Sequence, residues 1–138
     1  ITAVRLANKD GAWTTEKVWH VDDLSLYMNS PVLSGNLLFG FSHKNRGQYF
    51  CVDARTGKTL WMGPPRGGDN AAIVRVGDAL LLLNNEAELS IVKASGDGFQ
   101  VIRKYTVADS PTWAHPVLVG GDLLIKDAST LRRLRLGS

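Results

Sequence analysis

Two sets of landmarks recur along this chain with the same pair of intervals. Trp19, Trp61 and Tyr105 are separated by 42 and 44 residues, and so are the glycines Gly35, Gly77 and Gly121. Aromatic residues and turn glycines answer to different structural demands, so their agreement marks a repeat. Within each period the order of segments is constant. Ser30-Pro31-Val32-Leu33, Ala71-Ala72-Ile73-Val74 and His115-Pro116-Val117-Leu118 open three units. A glycine turn follows each, then the apolar runs Leu37–Phe39, Ala79–Leu82 and Leu123–Ile125. Third segments run over Gln48–Val52, Ala87–Val92 and Thr130–Leu134, and fourth segments end at Trp61 and Tyr105. Each unit therefore reads as a four-stranded antiparallel meander. Repetition of such meanders every 40–45 residues or so is the signature of β-propeller blades.

The second unit holds the sharpest motif, Cys51-Val52-Asp53-Ala54-Arg55-Thr56-Gly57-Lys58-Thr59-Leu60-Trp61. A strand enters a tight turn and a second strand leaves it. Asp53 is placed to accept hydrogen bonds from the backbone of the turn, and Gly57 is suited to a positive φ. Thr56-Gly57 between β-prone runs is a hairpin signal.

This pattern, a small residue, then Asp-x-x-Thr-Gly-x-x-x-Trp, behind a Pro-Val…Gly-Asn strand pair, resembles the quinoprotein-type (pyrroloquinoline-quinone-like) β-propeller repeat. Cys51 stands where the family usually has Ala or Gly, and degenerate copies span Asp10…Trp19 and Lys93…Tyr105. The resemblance implies that Trp19, Trp61 and Tyr105 pack between neighbouring blades. The family comprises quinone-dependent dehydrogenases and a larger non-enzymatic set, which includes a periplasmic lipoprotein scaffold of outer-membrane protein assembly. The chain looks like the second set, and a periplasmic or secreted location follows from the resemblance.

At about 43 residues per blade, 138 residues make roughly three and a quarter blades, whereas propellers close with about 4–8. The expected division is a half blade over 1–21, blades over 29–63 and 70–107, and a terminal blade lacking its outer strand over 112–136. The expectation is the C-terminal part of a larger propeller. Its partners are then the remaining blades of the parent protein or a second copy of this chain.

Chemistry is sparse. The single cysteine, Cys51, cannot form an internal disulfide and reads as a small buried hydrophobe. His20 and His43 lack companions at metal-ligand spacing, so no metal is expected. Enzymes of the family carry vicinal cysteines, a calcium site and a carboxylate base around their quinone. Nothing in this chain matches that set, and no cofactor and no catalytic residue are assigned. A fragment of a quinone-dependent oxidoreductase, with its catalytic residues elsewhere, stays open as the alternative. Gly63-Pro64-Pro65-Arg66-Gly67-Gly68-Asp69 is glycine-rich, but its prolines remove donors and no Lys-Ser/Thr follows, so it reads as a loop between blades.

The formal net charge of +3 and the run Arg132-Arg133-Leu134-Arg135 raise nucleic-acid binding. Alternation along a strand puts Leu134 and Leu136 on one side and Arg133 and Arg135 on the other, with Arg132 on the leucine side. A solvated edge, or an Arg132 buried between blades, is the plainer reading, so no nucleic-acid partner is assigned. No apolar run approaches the ~20 residues of a membrane-spanning helix. The loops that enter the innermost strands bring Asn29, Asp69, Asn70, Trp113 and His115 to the rim of the central channel. They are the possible ligand contacts, or else they satisfy turns and channel waters.

Overall fold

The computed structural model describes residues 1–136. They form thirteen strands in four antiparallel sheets. A two-stranded hairpin, β1 (Thr2–Lys9) and β2 (Ala12–His20), comes first. The second sheet contains β3 (Val32–Ser34), β4 (Leu37–Ser42), β5 (Gln48–Asp53) and β6 (Thr59–Met62), paired in that order. The third contains β7 (Ala71–Val76), β8 (Ala79–Asn84), β9 (Glu88–Lys93) and β10 (Val101–Thr106). The last contains β11 (Val117–Val119), β12 (Asp122–Lys126) and β13 (Leu131–Arg135). Every strand pairs with its neighbour in sequence, as short connections dictate.

The middle strands are continuous apolar runs because both faces of their sheets are covered. In β5, alternation sends Phe50 and Val52 toward the first hairpin, where Leu24, Trp19 and Leu38 join them. Tyr49 and Cys51 point the other way, into a core with Phe39, Phe41, Trp61, Leu80 and Leu82. In β8 the same rule divides a leucine run: Leu80 and Leu82 face the second sheet, while Leu81 and Leu83 meet Leu123 and Ile125 of the last. Each core thus lies between two consecutive sheets. Gly40 is what lets one of them close: a Cβ there would lie 2.2 Å from Cζ of Phe50, its cross-strand partner.

The first turns of the three larger units superpose in chemistry. Gly35, Gly77 and Gly120 have φ of 59°, 60° and 57°, and the next residue of each turn accepts a bond across the unit. These bonds are Ala54 N–H to Asn36 O, Ala94 N–H to Asp78 O and Leu136 N–H to Gly121 O. The repeated glycine is therefore Gly120 rather than Gly121. Gly121 occupies the place of Asn36 and Asp78, so the glycine intervals are 42 and 43. The same frame aligns His115 with Ser30 and Ala72, one residue beyond Ala71.

Candidate functional site

The Asp53 turn forms as its residues require. The Asp53 carboxylate accepts the N–H groups of Arg55 (2.8 Å) and Thr56 (3.1 Å), and Gly57 turns back at φ 75° to donate to the Asp53 carbonyl (2.8 Å). Those backbone donors, first from Arg55, hold the Asp53 carboxyl below its ordinary value. Asp127 repeats the device with the N–H groups of Ser129 and Thr130 and is likewise lowered, Thr130 first. The Trp19 indole N–H donates to the Ala54 carbonyl of this turn (2.9 Å). A Cβ on Gly57 would stand 2.8 Å from the Trp19 ring, so only glycine admits this docking.

Trp61 does the same one sheet further on. Its indole N–H donates to Ser95 O (2.8 Å), and its ring lies 5.9 Å from that of Phe39 and 5.5 Å from that of Phe99. Both tryptophans follow an irregularity of the same kind. In the hairpin Val4 pairs Lys17 and Ala3 pairs Trp19; in the second sheet Val52 pairs Thr59 and Cys51 pairs Trp61. The skipped residues, Val18 and Leu60, are β-bulges.

The third sheet keeps this bulge, with Val92 opposite Val101 and Ile91 opposite Arg103. Register therefore puts Arg103, not Tyr105, in the place of Trp19 and Trp61. The loop Ala94–Gln100 is two residues longer than the Asp53 turn, so this position falls ten residues after Lys93 where Trp61 falls eight after Asp53, and Tyr105 lies two residues beyond it. Tyr105 is on the same side of β10 but half-exposed. Asp10 is also displaced from the place of Asp53. It sits with Gly11 at the tip of a longer hairpin, both at positive φ, while Arg5 holds the matching strand position.

Cys51 is fully buried, and burial, with a smaller push from Asp53, raises its thiol to about 12. A thiol so held is inert as a nucleophile. Burial pushes the Tyr49 hydroxyl up as well.

The five candidate rim residues divide in their surroundings. Asn70 is buried; its N–H and that of Asp69 both donate to the Asn85 side-chain oxygen, at 3.1 and 2.8 Å. Its own Oδ1 has no partner, nor have Oδ1 and Nδ2 of Asn29, although all three atoms are buried. Trp113 is half-exposed, and the exposed His115 keeps Nδ1 2.9 Å from the Pro116 carbonyl. Asp69 is exposed and lines a recess of about 350 Å³ with Arg46, Arg66, Gly68 and Glu86, which the motif reading did not single out.

A larger cleft of about 730 Å³ lies between the third and last sheets. Val76, Leu81, Leu89, Ile91, Val107 and Leu134 give it an apolar lining, with Tyr105, Arg132 and Arg135 at its polar parts. Arg132 takes the leucine side of β13, as alternation requires, and donates through Nη2 to Asp109 while its buried Nε has no partner. On the other side Arg133 and Arg135 both bond Asp122 and lower its carboxyl, Arg133 first. The outer edge of β13, away from β12, pairs with no strand among the described residues. No group of three or more His, Cys, Asp or Glu able to hold a metal occurs among them either. No helix in them is long and apolar enough to cross a membrane.

No protein-family model matches the sequence, and no curated protein does. Among solved structures, BamB from Moraxella catarrhalis is similar, with a TM-score of 0.73 at 15% sequence identity. The match covers 98% of this chain and 43% of that one. At that identity the likeness speaks to fold alone, and it agrees with the sheets described above: the chain has the fold of an incomplete β-propeller.

Proposed function

We propose that this chain is a non-catalytic β-propeller scaffold or binding module that acts within a larger propeller and makes protein contacts. The observation that carries the proposal is the cleft between the third and last sheets together with the open edge of β13. Unpaired backbone N–H and C=O groups along an edge, beside an apolar trough, are what an added β-strand uses: main-chain bonds on one side and alternate side chains in the trough. The first choice of donor is the rest of the parent protein, and a second copy of this chain is the other. The unpartnered amide of Asn29 and the unpartnered Oδ1 of Asn70 support a water or a polar ligand group beside the innermost strands, since a buried polar group without a partner costs about 1–3 kcal/mol. In this reading Asn29, Asp69, Asn70, Trp113 and His115 remain the rim contacts. The extracytoplasmic location implied by the repeat motif belongs to the same proposal.

Light scattering combined with a hydrophobic dye tests it. The isolated chain should bind the dye and run above its single-chain mass of 15.0 kDa. A dye-negative, cooperatively folding monomer would refute the open-edged module. The competing reading, a piece of a quinone-dependent oxidoreductase, predicts instead that pyrroloquinoline quinone quenches the tryptophan fluorescence of this chain saturably.

A further inference from the structure

We propose that the recess at the loop end of the second and third sheets binds an extended peptide segment in which a carboxylate side chain is flanked by a basic one. Arg46, Arg66, Asp69 and Glu86 line the recess together with Gly68. At about 350 Å³ it lies at the small end of ligand-sized clefts, enough for two side-chain heads.

Both arginines stand on left-handed backbone, Arg46 at φ 60° and Arg66 at φ 64°. That conformation is disfavoured for any residue with a Cβ and free for glycine, so the fold would be served better by glycine at both places. Only five non-glycine residues of the described chain have positive φ, and two of them are arginines that line the same recess. Strain retained at two converging cations points to a task for the cations.

The backbone beneath them is fixed. Arg66 N–H donates to Asn45 O (3.1 Å), Gly67 N–H to Gly47 O (2.8 Å), and the Asn84 side chain to Gly67 O (3.1 Å). Asp69 N–H is held by the Asn85 side chain and Glu86 N–H by that of Asn84. The approach of the two loops is so close that a Cβ on Gly47 would lie 1.9 Å from the Gly68 carbonyl. Walls set this rigidly lose little freedom on binding.

The charges are also uncommitted. Among the described residues, no ion pair within 4.0 Å involves Arg46, Arg66, Asp69 or Glu86, whereas Arg132, Arg133 and Arg135 are all paired. Two guanidiniums suit a carboxylate, with its planar pair of acceptors. The two acids in the same lining select a cation beside it and penalise a purely acidic ligand.

Fluorescence anisotropy on the full chain, at low salt, tests this with three labelled probes of one length: an alternating Glu-Lys peptide, hexaglutamate and hexalysine. The Glu-Lys peptide should bind tightest and lose affinity as salt rises. The variant Arg46→Gly/Arg66→Gly removes both cations while relieving the backbone. It should keep or raise the thermal midpoint and weaken binding by about tenfold or more. Wild-type affinity in that variant overturns the proposal, and so does a marked fall in its midpoint, which would make the arginines structural. Hexaglutamate binding as tightly as the mixed peptide, or hexalysine binding at all comparably, overturns the assigned ligand.

Discussion

Replacing Trp61 with alanine removes the largest plug between the second and third sheets. The side chain is 9% exposed, so nearly its whole surface is withdrawn from water. Truncation of a buried tryptophan costs about 3–5 kcal/mol, the upper part of that range applying where neighbours cannot collapse into the space. Here they are poorly able to. Phe39 belongs to a central strand, Phe99 is already stacked on Tyr49 at 5.7 Å, and Cys51 opposite is fully buried. The Ser95 carbonyl also loses its donor, which adds about 1 kcal/mol if water does not replace it. A total near 4–5 kcal/mol is comparable with the ~5–15 kcal/mol that holds a typical domain together. Trp61→Ala is therefore expected to unfold or aggregate at ambient temperature. Trp61→Phe keeps most of the apolar contact and should fold with a loss of about 1–2 kcal/mol. Urea titrations followed by circular dichroism report both. If the alanine variant unfolds within 1 kcal/mol of the parent, the tryptophan is not the inter-sheet plug described, and the reasoning fails.

Gly40→Ala should cost about 1–3 kcal/mol by overpacking, because the new methyl group would intrude on the buried Phe50 ring; an unchanged urea midpoint would contradict the contact. Asp53, Asp122 and Asp127 all have carboxyls lowered from the ordinary 3.8, so the fold favours their ionised forms. Their contribution is present above the ordinary value and lost as pH falls through the lowered ones, so the thermal midpoint should decline below about pH 4. Asp53→Asn with Asp127→Asn should flatten that decline, and an acid limb of unaltered steepness would refute the assignment. Cys51, with its thiol raised to about 12, should resist a thiol reagent at mild alkaline pH until urea is added. Stoichiometric labelling in native buffer would show that its strand is not enclosed.

How much could be read in advance depended on whether a feature was local. The Asp53 turn was legible because its donors and acceptors lie within a few residues of one another. The 42-residue step from Trp19 to Trp61 was legible as a spacing, and both indoles donate to a loop carbonyl of the following sheet; the next position in register is Arg103, two residues before Tyr105, which a spacing of aromatics could not mark. The recess was not legible at all. Arg46 and Arg66 are separated by a strand pair, and their convergence depends on two loops packing across Gly47 and Gly68.

That the chain is all-β and repeats as antiparallel meanders could be read from its residues, because strand alternation and turn chemistry act over short stretches. They also indicated which arginines of β13 share a side with Leu134, since a strand's two faces follow from the parity of residue number. Strand pairing and the packing of sheets were needed to place Gly120 in the turn, to put Arg103 at the register position of Trp19 and Trp61, and to open a groove beside β13. Those outcomes rest on register. A bulge or a loop residue shifts register by one without leaving a mark in composition, and register alone sets which side chains of neighbouring sheets meet.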